Sequence, residues 1–155
     1  ADVVELTVAI AREMLRLSGI DTDPQENLNN GKAMDKWREM ISAQSGDPNA
    51  PMAKAKHSEK IYADADGYLN LDALSVGMAS WRLGAGREKQ GDQVQDAAGV
   101  ILNKTQGDRV SKGDLLGELF TDTESKMEGA KVDFEKAVEI GQEANRKPII
   151  LKELR

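Results

Sequence analysis

The sequence predicts an α+β protein, and three observations support that class. Helical periodicity dominates residues 1–50, while short apolar runs between Gly- and Asp-rich turns dominate residues 51–155. Nowhere do strand and helix patterns alternate regularly, as a parallel sheet with crossover helices requires. The second region is therefore expected to hold short, largely antiparallel strands with two helices.

In the first region, Asp2 and Glu5 stand at capping-box spacing and open a helix running to about Ser18, with Gly19 placed to terminate it. Val3, Leu6, Ile10, Met14 and Leu17 recur at three- and four-residue steps, and Val4, Val8 and Leu15 broaden that stripe. A stripe so wide expects contact on more than one side. Asp23-Pro24-Gln25-Glu26 starts a second helix, with proline in the first turn where its missing N–H costs nothing. Asn29-Asn30-Gly31 interrupts it. The helix resumes through Ser45, with Ala33, Trp37, Met40 and Ile41 on its apolar side, until Gly46-Asp47-Pro48 stops it. The first 46 residues are therefore expected to be helical hairpin material, with little sign of a self-sufficient core.

The pattern changes at Pro51. Lys56 to Ala63 and Tyr68 to Leu71 predict strands around the turn Asp64-Ala65-Asp66-Gly67. Asp72 caps a helix from Ala73 to about Arg82, with Leu74, Met78 and Trp81 inward and Gly84 at its end. Gly99 to Leu102 predicts a buried strand. A turn over 107–114 leads to a strand from Leu115 to Phe120. Met127, Ala130, Phe134, Ala137 and Val138 then predict a helix from about Glu124 to Ile140, and Pro148 to Leu151 a closing strand.

Bulk composition excludes several classes of function. The net charge of −6 argues against a nucleic-acid partner, which needs a cationic surface to displace counterions. The absence of cysteine rules out disulfides and thiolate metal sites and suits a reducing cytoplasm. No apolar run approaches the length of a membrane span. The chain begins without an initiator Met or signal peptide and opens directly into a helix, so it is expected to be part of something longer.

The most pointed segment is "WRLGAGREKQGD", residues 81–92. A phosphate-binding glycine loop follows a strand and opens a helix, so that free N–H groups face the anion. Here the glycines follow a helix and no third glycine completes the spacing. The reading is a helix stop at Gly84 with a supple loop beyond it, in which Arg87 and Lys89 are the only substrate-contact candidates, through positive charge when a cleft closes. Lys54, Lys56, His57 and Lys60 read as charges protecting a sheet edge. A single imidazole without a partner makes no zinc site. Asp64 and Asp66 lack the further oxygen ligands of a calcium loop. Trp37, Trp81 and the methionines read as core, and Glu124, Glu128, Asp133, Glu135 and Glu139, interleaved with Lys126, Lys131 and Lys136, as a solvated face. "GDRVSKGDLL", residues 107–116, resembles turns of biotinyl and lipoyl carrier domains, with Val110, Leu115 and Leu116 inward. The equivalent of the carrier hairpin, Ala63 to Tyr68, has no lysine to modify, so a non-catalytic carrier-like binding module is the alternative reading.

Three ordered segments carry a wider resemblance: residues 2–20, ending in "AREMLRLSGI"; "GKAMDKWREMISAQSGDP", residues 31–48; and "LGAGREKQGDQVQDAAGVILNKTQGDRVSKGDLLGEL", residues 83–119. Together they resemble the pyrimidine-nucleoside phosphorylase (thymidine phosphorylase) family over nearly the whole chain. The resemblance implies a C-terminal portion of such an enzyme. Residues 1–50 would be the last helices of a large α/β domain, and residues 51–155 a smaller C-terminal domain of the α/β-hammerhead kind. The implied reaction is phosphorolysis of a pyrimidine deoxynucleoside to free base and 2-deoxyribose 1-phosphate, in a cytoplasmic, homodimeric enzyme without cofactor or metal. In the family the phosphate- and base-binding residues precede this region. No catalytic residue is therefore expected here, and the chain's contribution would be cleft closure and support.

Overall fold

A computed structural model describes residues 2–146 and 148–150. The chain forms two compact units, one running to Pro51 and the other spanning Met52–Arg146.

The first unit consists of α1 (Asp2–Leu17), α2 (Pro24–Asn29) and α3 (Lys32–Ala43). α1 includes Asp2 itself, one residue earlier than a cap at that position would allow. It ends as expected at Gly19, whose φ of 69° lets the Gly19 and Ile20 amides reach back to the carbonyls of Arg16 and Leu15. Asp23 caps α2 by accepting from the Gln25 amide at 3.2 Å, and Arg12 of α1 donates to the same carboxylate at 3.0 Å. α3 stops at Ala43, two residues short of expectation, and the Gly46 amide closes it on the Ile41 carbonyl at 2.9 Å. Of the apolar stripe on α1, only Val8 is buried; Val3, Met14 and Leu17 are 77%, 64% and 76% exposed. Trp37 and Met40 of α3 are also exposed, so the expected core role of these residues is not met within the unit.

The second unit contains two three-stranded antiparallel sheets and two helices. Its elements are β1 (His57–Tyr62), β2 (Gly67–Leu71), α4 (Ala73–Ser80), β3 (Gly99–Leu102), β4 (Arg109–Val110), β5 (Leu115–Thr121), α5 (Met127–Ala137) and β6 (Val138–Gly141). One sheet has the order β1-β5-β3 and the other β4-β2-β6. The neighbours β1 and β2 thus enter different sheets and do not form the hairpin that the Asp64–Gly67 turn suggests. β5 is the spine of the first sheet, with His57 opposite Thr121 and Val100 opposite Leu119.

The two sheets and both helices enclose one core. Leu69, Leu83, Leu116, Leu119 and Phe134 are fully buried, with Ala79 and Ala130 where α4 crosses α5. Small residues at that crossing let the helices approach closely. Gly117 has the same role on β5: a side chain there would meet the Phe134 ring at 3.0 Å and the Ile101 carbonyl at 2.9 Å.

Several expectations change. α4 buries Ala79 and the following Leu83, while Leu74 and Met78 point outward. Its helical phase is set by fit against α5, and bulk does not decide it. β3 is an edge strand with Ile101 56% exposed. Leu115 is only half-buried. The helix predicted over 124–140 is a 3₁₀ turn (Glu124–Lys126), then α5, then β6, which pairs Val138 with Leu71 and Ile140 with Leu69. Val138 and Ile140 are β-branched with period two, which favours the pleated ladder over another helical turn. Residues 148–150 form no strand, and Leu151 lies outside the described residues.

Candidate functional site

α4 does not end cleanly. It runs into a wide π-type turn over Trp81–Ala85, released at Gly84 with φ 111°. Beyond it the chain doubles back. The Trp81 indole N–H donates to the Arg87 carbonyl at 3.1 Å, and Gly86 lies so close under the ring that a side chain there would meet Cδ1 at 2.7 Å. Asp92 then closes the loop tip: its Oδ2 accepts from the Glu88 and Lys89 amides at 3.2 and 2.9 Å. The protein's own carboxylate thus occupies two adjacent amides of the kind that bind anions elsewhere. The far stem returns through Gln95, whose amide donates to the Gly84 carbonyl at 2.9 Å.

Behind the loop sits a small polar network. Thr121, the buried polar residue at the end of β5, donates to the Leu83 carbonyl at 2.7 Å and accepts from the Thr123 amide at 3.1 Å. The Gln95 carboxamide accepts from the Asp122 amide at 2.7 Å and donates to the Thr123 hydroxyl at 2.9 Å. Every donor faces an acceptor, as a half-buried network requires.

Loop and 3₁₀ turn border an open cleft of about 480 Å³ lined by Trp81, Arg82, Gly86, Glu88, Asp92, Gln93, Ser125, Lys126 and Gly129. Arg87 and Lys89 are exposed and do not line it. The cations that do are Arg82 and Lys126. Arg82 donates to Asp133 of α5 at 2.6 Å, so its charge is already matched. Two carboxylates, Glu88 and Asp92, face the same space. With Arg82 paired to Asp133 and two carboxylates facing Lys126, the balance of charge in the cleft does not favour an anion.

The other candidates are structural. His57 is half-buried on β1, an edge strand carrying exposed Lys60. Lys54 and Lys56 precede it and are exposed. Glu59 of β1 accepts from Lys131 at 2.5 Å, and this bond raises the lysine's pKa. Asp133 is tied to Arg82, and Glu139 lies on β6, so the acidic stretch is not one solvated helical face. Asp66 accepts from the Lys112 amide at 2.6 Å. Asp108 accepts from the Thr105 amide at 2.8 Å and pairs with Arg146 at 2.6 Å; the amide bond is the main reason that its pKa lies below the usual carboxylate range. Among the described residues, no three His, Asp or Glu side chains converge as a metal site would need. The carrier-like turn has Gly107 and Gly113 at φ 81° and 91°, but the absent β1–β2 hairpin leaves no tip to present a modified lysine.

The residues from β2 to β6 decide the family. Residues 68–141 match the model of the pyrimidine nucleoside phosphorylase C-terminal domain. This chain carries a pyrimidine nucleoside phosphorylase C-terminal domain. A thymidine phosphorylase of Mycobacterium tuberculosis is 42% identical over 134 residues, which cover 85% of this chain and 31% of that protein. A pyrimidine-nucleoside phosphorylase of Staphylococcus epidermidis is 30% identical over 135 residues, 79% of this chain and 31% of its own length. An AMP phosphorylase of Methanosarcina acetivorans is 29% identical over 136 residues, 81% of this chain and 26% of its own. The chain thus spans about a third or less of these relatives. Among the described residues, no helix of the pyrimidine nucleoside phosphorylase C-terminal domain or of the preceding unit is long and apolar enough to cross a membrane.

Sequence reasoning missed the network that organises this loop. Gln95 and Thr121 carry no signal in a linear reading, because a glutamine in a polar loop and a threonine at a strand end are unremarkable. Asp92 had one: Asp beside Gly in a turn favours capping of nearby amides.

Proposed function

We propose that the chain is the C-terminal portion of a pyrimidine-nucleoside phosphorylase, supporting and closing a cleft whose reacting groups lie elsewhere in the enzyme. In the reaction, a phosphate oxygen bonds to the anomeric carbon, the bond from that carbon to the base breaks, and the base leaves with the electron pair. The observation that carries the reading is the 42% identity to a thymidine phosphorylase along 85% of this chain, against 31% of that relative. The loop over residues 86–93 supports it, since the Glu88 and Lys89 amides at its tip are already taken by Asp92. Such a loop suits closure, which excludes water and strengthens electrostatic contacts around the reacting atoms. Arg87 and Lys89 project from the loop, where they could meet the opposing lobe or the substrate.

In this reading residues 1–50 are the last helices of the large domain and residues 51–155 the C-terminal domain. The exposed stripe of α1 and α3 is then the face turned to the rest of the large domain. An AMP phosphorylase shares the same region, which supports base selection by other parts of the enzyme. The parent enzyme is read as a cytoplasmic homodimer without cofactor or bound metal, acting on phosphate and a pyrimidine nucleoside and not on nucleic acid. The test is phosphorolysis of thymidine and uridine by this chain and by its full-length parent. Release of free base by the parent alone is expected; turnover by the 155-residue chain itself would refute the assignment.

A further inference from the structure

Both stems of the loop over residues 86–93 converge on one residue, Gln95, through its backbone N–H and its carboxamide. The Gln95 amide holds the near stem at Gly84, while its carboxamide holds the end of β5 through the Asp122 amide and the turn before α5 through the Thr123 hydroxyl. Thr121 ties the same point to Leu83. Gly84 is shaped to receive this side chain: a Cβ there would lie 2.8 Å from Cδ and Nε2 of Gln95. The loop tip, by contrast, hangs on Asp92, the Trp81 indole and a glycine, Gly91, at φ 94°. A stiff base under a weakly held tip is the arrangement that lets a short segment move as one piece.

We propose that Gln95 is a positioning residue: it clamps the two stems of the loop to the end of β5, so that opening and closing are confined to residues 86–93 and the tip is delivered to one place. The proposal rests on the closure role given above. Gln95 touches no reacting atom, and its effect passes through the loop.

Trypsin supplies a local readout, because Arg87 and Lys89 sit in the exposed loop while Lys60 lies in β1 and is cut only when the unit opens. In Gln95→Ala, cleavage after Arg87 and Lys89 should accelerate about tenfold with cleavage after Lys60 unchanged. Gln95→Glu should restore slow cleavage, since its carboxylate still accepts from the Asp122 amide and the Thr123 hydroxyl can rotate to donate. Unchanged loop cleavage in Gln95→Ala, or a parallel rise at Lys60, overturns the clamp. In the full-length parent, Gln95→Ala should lower kcat for thymidine phosphorolysis about tenfold and leave KM for phosphate within about twofold, with Gln95→Glu recovering most of the loss. A loosened loop with an unaltered kcat overturns the positioning role. A parent lacking residues 88–91 that keeps its full kcat overturns the closure reading and the positioning role with it, while the protease rates still judge the clamp separately.

Discussion

Replacing Gly84 with alanine presses on the point where loop and core meet, and its cost can be worked from the geometry. At φ 111° an L-residue suffers backbone crowding of about 1–2 kcal/mol. The new methyl would also lie 2.8 Å from the end of the Gln95 side chain, which is flexible and can withdraw. Withdrawal breaks the bonds to the Asp122 amide and the Thr123 hydroxyl, each worth about 0.5–1.5 kcal/mol net. The sum is a loss of about 2–5 kcal/mol, and a 2 kcal/mol loss alone should lower Tm by roughly 8–16 °C in a unit of this size. Urea unfolding of this chain measures it, as a drop in midpoint at constant m-value. A double-mutant cycle sharpens the reasoning. In a Gln95→Ala background the clash and the two bonds are already gone, so Gly84→Ala should then cost only the backbone term of about 1–2 kcal/mol. Additive costs, or a single-mutant loss below about 0.5 kcal/mol, would refute the coupling of Gly84 to Gln95.

Other outcomes follow from the same structure. Phe134→Ala removes a fully buried ring from the heart of the core and should cost about 3–5 kcal/mol in a denaturant titration. Thr121→Val keeps the shape but leaves the Leu83 carbonyl and the Thr123 amide without their hydroxyl, at a cost of about 1–3 kcal/mol by the same assay. Acid should destabilise the fold. The pKa values of Asp23, Asp72, Asp108 and Asp114 are all lowered, chiefly by hydrogen bonds from Gln25, Ser75, Thr105 and Ser111 respectively. Their contribution is therefore complete above the ordinary carboxylate pKa of about 4 and disappears as pH falls through the lower folded values. Tm should accordingly be flat near neutrality and fall below about pH 4, which a calorimetric pH series would check.

Local chemistry was the legible part of this sequence. Gly19, Asp23, Gly31, Asp72 and Gly84 all mark helix boundaries where the structure has them, because caps and left-handed positions depend on a few adjacent residues. What a linear reading lost is what depends on distant partners. The outward turn of Leu74 and Met78 is set by how closely α4 can approach α5 through Ala79 and Ala130. The conversion of Val138 and Ile140 from helix to ladder is set by an open edge on β2, nearly seventy residues earlier in the chain. In the candidate site, the glycines of the loop were visible and read as a helix stop. Its organising side chains, Gln95 and Thr121, acquire meaning only when β5 ends beside the loop.

The separation of β1 and β2 into different sheets governs how the molecule must assemble. In each sheet the outer strands meet only through a middle one: β1 and β3 wait for β5, and β4 and β6 wait for β2. Among the described residues, no pair of strands adjacent in sequence can therefore zip up alone and serve as a seed, and a nascent chain halted before Leu115 would leave β1 and β3 without their common partner. Such non-local wiring makes acquisition of the native state slow and concerted, with both layers arriving together once the last third of the polypeptide is available.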